Sequence, residues 1–255
     1  MVKISIVTPT YNNFVKLKFN INSVLSQTFY DIEHIIVDNL SNDGTENLIK
    51  EYIGKAKYPV IYIREKDNGI YHAMNKGIKA ANGVWVHILN SDDYYIDGNS
   101  LSSLNIEDNN YDVIANAIIV KNEKTGSIIS KWIPVYNKKI NHYNFPHSGM
   151  IIKKDFYEKY GYYDERYKIL SDSMYCMKFL PFAKYKIIEE PIVIMLNSGI
   201  SNKFSFTKSK ELMIFNLYYY HGPLKYRIKF IIKNLVLDLK SILKIVIKKI
   251  NFLKK

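Results

Sequence analysis

One cysteine, Cys176, stands in the whole 255-residue chain, so no disulfide framework can form within it, and a reducing compartment suits it. No run of about 18 uncharged apolar residues occurs, which argues against a conventional membrane-spanning helix. The N-terminal MVKISIVTPTYNN enters a strand-like run directly, without the longer apolar region and small-residue cleavage site of a signal peptide. Neither GxGxxG nor the Walker pattern is present, so a bound diphosphate would be neutralised by side chains and metal instead of a glycine-rich loop. GxSxG is also missing, which leaves a serine hydrolase without its nucleophile turn. One Cys and six scattered His offer no compact zinc spacing.

What is present points to a globular α/β chain. At about 150 residues per domain, the length fits one large domain, or one domain with an appendage. A chain this long buries roughly 70% of its unfolded surface without staples. Lys and Arg number 36 against 24 Asp and Glu, a net +12. From position 221 to 255 there are ten Lys or Arg and one acid, Asp238, so the tail carries +9 of that charge. The remainder is nearly balanced, which counts against an extended nucleic-acid footprint. The tail YRIKFIIKNLVLDLKSILKIVIKKINFLKK alternates apolar and basic groups, with no Pro or Gly after Pro223. It reads either as an amphipathic helix for an anionic membrane surface or as a packed helix with a solvated lysine face. A Lys-, Ile-, Asn- and Tyr-rich composition throughout the chain also contributes to that pattern.

Apolar β-branched runs predict strands at 3–8, 32–37, 60–63 and 84–89, the first ended by Pro9. Helical spacing predicts helices over 14–27, from the 39–44 turn through 53, and over 71–81. This alternation indicates crossover units and a mainly parallel sheet. The polar groups fall just beyond the strands: Pro9, Thr10 and Tyr11 after the first, then Asp38, Asp67, and the pair Asp92-Asp93. In open α/β sheets such ends converge on the ligand crevice. Single acids there also serve as turn and cap residues. Adjacent Asp92 and Asp93 fit that reading poorly, because neighbouring carboxylates repel unless a cation or proton intervenes. A hard divalent cation, Mg²⁺ or Mn²⁺, takes such oxygen ligands together with substrate phosphates.

SIVTPTYN, SVLSQTF, IIVDNLSNDGT, EKDNGIYHAMNKGIKAANG and VHILNSDD, in that order, resemble the family 2 glycosyltransferases of GT-A fold. The likeness runs from residue 3 to about 95. It returns at HSGMIIKKDFYEKYGYYDERYKILSDSMYCMKF and at NSGIS. The resemblance implies a Rossmann-like, mainly parallel sheet flanked by helices. It implies a catalytic domain over 1–205, with a donor half to 100 and an acceptor half from 101, followed by a basic helical segment from 206 to 255. It implies inverting transfer of a sugar from a nucleotide diphosphate to an acceptor hydroxyl, and employment in surface polysaccharide synthesis. With the basic tail, this points to a lipid-linked acceptor and a peripheral place on the cytoplasmic membrane face. A processive synthase is disfavoured, since QxxRW and membrane helices are missing. A non-catalytic membrane- or nucleic-acid-binding module on the same fold is the alternative from another class.

Residue by residue, Asp93 matches the family's metal-binding carboxylate and Asp92 its partner touching cation and donor. Ser91 replaces the first acid of the triplet. Asp38 matches an acid near the nucleoside. Asn39 stands where a second Asp hydrogen-bonds the base, and an amide can donate as well as accept. Tyr11 matches a base-stacking position, with Pro9 and Thr10 shaping its loop, although a strand-ending turn explains these three equally. Asp67 in DNG lines the donor pocket or opens a tight turn. His72 reads as structural, and Lys76 faces either a phosphate or solvent. Asp172 in ILSDSMYCMKF caps a helix or, as the resemblance implies, serves as general base. Asp164 and Glu165 are its nearby competitors. His147 in FPHSGM matches a histidine near the diphosphate, with a loop or core role as the alternative. The 198–201 stretch resembles a loop that closes over the donor. Tyr and Phe near 136–145 and 204–220 offer rings either for sugar stacking or for core filling.

Overall fold

The structure, a computed structural model, describes residues 2–106, 110–137, 142–197 and 205–219, with scattered positions between 224 and 236. Strands β1 (Ile4–Thr10), β2 (Ile32–Asp38), β3 (Val60–Arg64) and β4 (Trp85–Ile88) alternate with helices α1 (Phe14–Leu25), α2 (Thr45–Lys55) and α3 (Ile70–Ala80). These elements coincide with the predicted ones to within about two residues at each end. They pair in the order β3-β2-β1-β4, all parallel.

β1 runs two residues past its predicted end, through Pro9 to Thr10. The amide of Leu89 bonds the Val7 carbonyl, and that of Asn39 bonds the Thr10 carbonyl. Alternation therefore turns Pro9 toward the β4 side, where pairing has already stopped at Val7. Its missing N–H interrupts no ladder there, which is where a strand tolerates proline.

The sheet then continues without a break into the second half of the chain. β5 (Tyr94–Tyr95), β6 (Val113–Lys121), β7 (Ile128–Trp132), β10 (Met150–Lys153) and β11 (Tyr185–Leu196) extend it in the order β4-β10-β6-β11-β5, with β7 on β6. β6 and β11 are parallel, whereas β10, β5 and β7 join antiparallel, so the sheet is mixed. β8 (Val135–Asn137) and β9 (His142–Asn144) make a separate two-stranded ribbon. Helices α4 (Lys154–Tyr160), α5 (Ser171–Phe179) and α6 (Phe206–Ile214) complete the second half. Among the described residues no helix is long and apolar enough to cross a membrane.

Both faces of the central strands are covered. Ile4 and Ile6 of β1 with Ile32 and Ile36 of β2 enter one apolar cluster, where α1 contributes Leu17, Ile21 and Val24. Val7, Ile35 and Val37 enter the other, against Met74 and Ile78 of α3. A strand covered on both faces reads as a continuous apolar run, which is why 3–8 and 32–37 were legible without clean alternation. α3 lies so close to β1 that a Cβ on Gly77 would come within 2.2 Å of Val7 Cγ1.

Two histidines are fully buried in this sheet. His34 lies between Tyr52 OH at 2.8 Å and Thr8 Oγ1 at 2.9 Å. His87 lies between Tyr95 OH at 2.7 Å and the Ser148 carbonyl at 2.9 Å. Burial pushes His34 down to about 3 and His87 down to about 4. Below the unfolded value of 6.5 the unfolded chain binds protons that the folded one refuses, so stability falls as pH falls from 6.5 toward 4. The loss is on the order of 1.4 kcal/mol per pH unit for each histidine. Proton NMR of the two imidazoles between pH 7 and 5 should show neither ring titrating; a ring that titrates there would show that it accepts a proton in place.

Candidate active site

Strand ends build the first wall of the site. Pro9 and Thr10 at the end of β1 with Tyr11 after it, Asn39 after β2, Asp67 after β3, and Asn90, Ser91 and Asp92 after β4 all line one cavity of about 470 Å³. This is the carboxyl edge of the parallel strands, where α/β sheets bind ligands. His147 and Asp172 come from the second half to line the same cavity.

Asp38 is not on that wall. β2 runs through Asp38, whose fully buried carboxylate accepts hydrogen bonds from Ser41 Oγ at 2.5 Å, the Ser41 amide at 3.0 Å and Tyr62 OH at 2.8 Å. It therefore braces the turn from one layer behind the cavity wall. Asn39, the next residue, lines the cavity. Its Oδ1 accepts from the Asp67 amide at 2.8 Å, which leaves the Nδ2 hydrogens for a ligand. Asp67 in turn accepts from the Gly69 amide at 2.9 Å, where Gly69 takes a φ of +130° that favours glycine. Asp67 thus lines the cavity and holds the turn at once.

The loop after β4 is pinned from α1. Asn20 Nδ2 donates to the carbonyls of Asn90 and Asp93, each at 3.0 Å, and Asn13 Nδ2 donates to Ser91 Oγ at 2.8 Å. Asp92 reaches the cavity, but Asp93 is buried behind it and accepts from Ser148 Oγ at 2.5 Å. Burial pushes the Asp92 carboxyl up, opposed by the Lys16 ammonium. Asp93 is pushed well above the usual carboxylate range, by burial first and by the Asp92 charge second. Beside them Asn90 Oδ1 is buried with no hydrogen-bond partner. Two crowded carboxylates and an orphaned amide oxygen are the donor set a hard divalent cation satisfies. The residues fit such an ion, although the described residues contain no group of three or more His, Cys, Asp or Glu close enough to bind one by themselves.

Asp172 lies in the first turn of α5 and accepts from Tyr71 OH at 3.0 Å. Burial, with Asp172 next, pushes the Tyr71 phenol well up, so it is a neutral donor. The competitors are occupied: Asp164 is clamped by Arg166 at 2.6 Å, and Glu165 accepts from Asn75 at 2.8 Å. His147 bonds Tyr163 OH at 2.9 Å, and burial lowers its pKa. His72 accepts from the Asn68 amide at 2.9 Å, the structural role expected. Lys76 is tied to Glu65 at 2.8 Å and to the Lys66 carbonyl. Stretch 198–201 lies outside the described residues.

Three contributors were invisible in the sequence. Ser148 holds Asp93. Lys168 lines the cavity and donates to the Asn68 carbonyl at 2.8 Å. Glu211 of α6 is buried, and its carboxylate accepts from the amides of Lys168, Ile169 and Leu170 at 2.7, 2.9 and 2.9 Å. The loop entering α5, and with it Asp172, is thus fastened by a residue about forty positions away. No local pattern marks a helical glutamate for that task.

The chain belongs to glycosyl transferase family 2, whose model matches residues 5–166. Among relatives, the minor teichoic acid biosynthesis protein GgaB of Bacillus subtilis is 32% identical over 127 residues, 48% of this chain. The PGL/p-HBAD biosynthesis glycosyltransferase of Mycobacterium bovis is 26% identical over 66% of this chain. This chain spans 14% of the length of GgaB and 66% of the second relative. Among solved structures, TarS 1-349 of S. aureus in complex with UDP-GlcNAc superposes with a TM-score of 0.67 at 18% identity, covering 91% of this chain and 71% of that one. The mannosyltransferase PcManGT of Pyrobaculum calidifontis, with GDP-Man and Mn²⁺, gives 0.58 at 15% identity over 84% of this chain and 61% of that one. The likeness to both establishes the GT-A fold.

Replacing Glu211 by Ala should leave three backbone donors without their acceptor and cost about 2–3 kcal/mol of unfolding free energy. Hydrogen exchange at residues 168–170 should quicken, and Glu211→Gln, which keeps an acceptor oxygen, should lose less. Unchanged exchange in Glu211→Ala would show that the loop is held by other means.

Proposed function

We propose that the protein is an inverting glycosyltransferase that moves a sugar from a nucleotide-diphosphate donor to an acceptor hydroxyl, with Asp172 as general base. The observation that carries this reading is the meeting of Asp172 with Asn39, Asp67 and Asp92 around one cavity at the carboxyl edge of the parallel strands. The nucleoside takes the side lined by Tyr11, Asn39 and Asp67, where Tyr11 offers an exposed ring for stacking and Asn39 an amide donor. Pro9 and Thr10 shape that loop. His147 and Lys168 stand at the diphosphate. Uracil, thymine, cytosine and guanine each present a carbonyl that the Asn39 amide can meet, and the UDP-GlcNAc held by TarS makes a uridine donor the first to try.

The acceptor oxygen attacks the anomeric carbon from the face opposite the diphosphate. As the new C–O bond forms, the old one breaks with its electron pair leaving on the diphosphate, and the hydroxyl proton passes to a carboxylate oxygen of Asp172. Tyr71 OH holds the other lone pairs of that carboxylate in place, so the proton is received in a fixed direction. Asp93, with Asp92 beside it, would hold a divalent cation, Mn²⁺ or Mg²⁺, whose charge offsets that of the leaving diphosphate. The Mn²⁺ bound to PcManGT supports this requirement.

The acceptor is a saccharide, carried on lipid, in cell-surface glycan synthesis such as teichoic acid, lipopolysaccharide, capsule or exopolysaccharide; the teichoic acid name of GgaB supports that setting. The tail supports a peripheral place on the cytoplasmic face of the membrane. Leu224, Ile228, Ile232 and Val236, spaced by four, are all exposed, and Lys225 and Lys229 accompany them. Arg227 is turned inward to the carbonyls of Asn216 and Leu217. Most of 222–255 lies outside the described residues. A non-catalytic module would need neither Asp172 nor the Asp92-Asp93 pair at the cavity.

A panel of nucleotide sugars with Mn²⁺ or Mg²⁺, scored by hydrolysis and thermal shift, should identify one donor. With it, Asp172→Asn should lower kcat by about 10²–10⁴ with donor binding kept, and Asp93→Ala should lose the metal dependence. Wild-type turnover in both variants would refute the roles given to them. Deleting 222–255 should abolish sedimentation with anionic vesicles, and undiminished sedimentation would refute the membrane contact.

A further inference from the structure

A second cavity, of about 490 Å³, abuts the first. Asn90, His147, Ile169 and Asp172 line both, so a molecule in the second space lies across Asp172 from one in the first. The volume is within the range of about 300–1,000 Å³ that small ligands occupy. Its character differs sharply from that of the donor side. Trp132, Tyr143, Phe145 and Phe215, with Met177 and Met195, make up much of its wall. Among its described lining residues the charged ones are Asp172 and Lys208.

We propose that this cavity receives the acceptor as an uncharged sugar ring lying against the Trp132 and Tyr143 faces, and that it does not accommodate an anionic polyol phosphate. The assignment rests on the transfer reading above. An aromatic face carries negative charge density and attracts the weakly positive C–H edge of a pyranose, whereas it repels a phosphate. A phosphate would also meet the Asp172 carboxylate with Lys208 as the counterweight among the described lining residues, a poor exchange for its lost hydration. The wall is preorganised: Tyr143 stacks on Tyr136 at 4.4 Å between ring centroids and meets Phe145 and Tyr185 edge-on at 5.6 and 5.8 Å. Trp132 Nε1 is buried with no hydrogen-bond partner. A buried donor left without an acceptor is costly, and a sugar hydroxyl supplies the oxygen it lacks. Trp132 therefore offers a ring face and a hydrogen-bond donor together, the pairing that recognises a neutral carbohydrate.

The test uses the full chain and saturation-transfer NMR. The probes are the methyl glycosides of glucose, galactose, mannose, N-acetylglucosamine and N-acetylgalactosamine, set against glycerol phosphate and ribitol phosphate. Saturation should reach the ring C–H protons of at least one glycoside and neither polyol phosphate. Its affinity should fall about tenfold or more in Trp132→Ala and recover only in part in Trp132→Phe, which keeps a ring face and lacks the Nε1 donor, with thermal unfolding confirming that both variants are folded. The emission of Trp132 gives a second readout, since the other tryptophan, Trp85, is buried in the sheet. Binding of the polyol phosphates, binding of no glycoside, or glycoside binding that survives Trp132→Ala would overturn the assignment. Nucleotide-sugar hydrolysis by the wild-type protein is measured alongside: its absence would sink the transfer reading, while hydrolysis without glycoside binding sinks the acceptor assignment alone.

Discussion

The site depends on the immobility of four residues, Asn90 to Asp93, at the end of β4. From one side the amide of Asn20 grips two of their carbonyls, and from the other Ser148 holds the Asp93 carboxylate. Ser148 is itself tied through its carbonyl to His87 on β4. The first and second halves of the chain are thus joined by hydrogen bonds that meet at residues 90–93. Such a network, buried and nearly complete, fixes positions more sharply than apolar packing does. Asn90 Oδ1 and Asn20 Oδ1 beside it are both buried without a hydrogen-bond partner.

Charge explains why the arrangement has to be buried and incomplete. Asp92 and Asp93 are adjacent in a low-dielectric place, and burial raises both. A cation bound there, as the proposed function requires, would relieve that repulsion, and part of its cost to folding would return as affinity for the ion. Asp172 faces the opposite requirement. It lies on a helix first turn with a phenol donor, a setting that keeps its direction fixed while its oxygens stay open to two cavities. Glu211 sustains this from a distance by holding the loop that enters α5.

The elements of the first hundred residues were legible because buried parallel strands and amphipathic helices write strong periodic signals, and because strand ends carry the ligand groups. Residue-level geometry was less so. Whether Asp38 or Asn39 faces the cavity depends on one more residue of strand, which composition does not determine. Asp93 was expected at the wall and lies beneath it, because Ser148, more than fifty residues on, draws its carboxylate inward. The antiparallel insertion of β10 between β4 and β6, and the approach of Trp132 to Asp172, are long-range events with no local signature. Glu211 looks like any solvent-facing helical acid until α6 docks.

In the proposed function a single carboxylate, Asp172, activates an acceptor on the face opposite the departing diphosphate. The anomeric configuration of the sugar released to water from an α-linked nucleotide sugar, followed by proton NMR before mutarotation, tests it directly. Inversion releases the β anomer first. Initial release of the α anomer would mean retention, and with it a different role for Asp172.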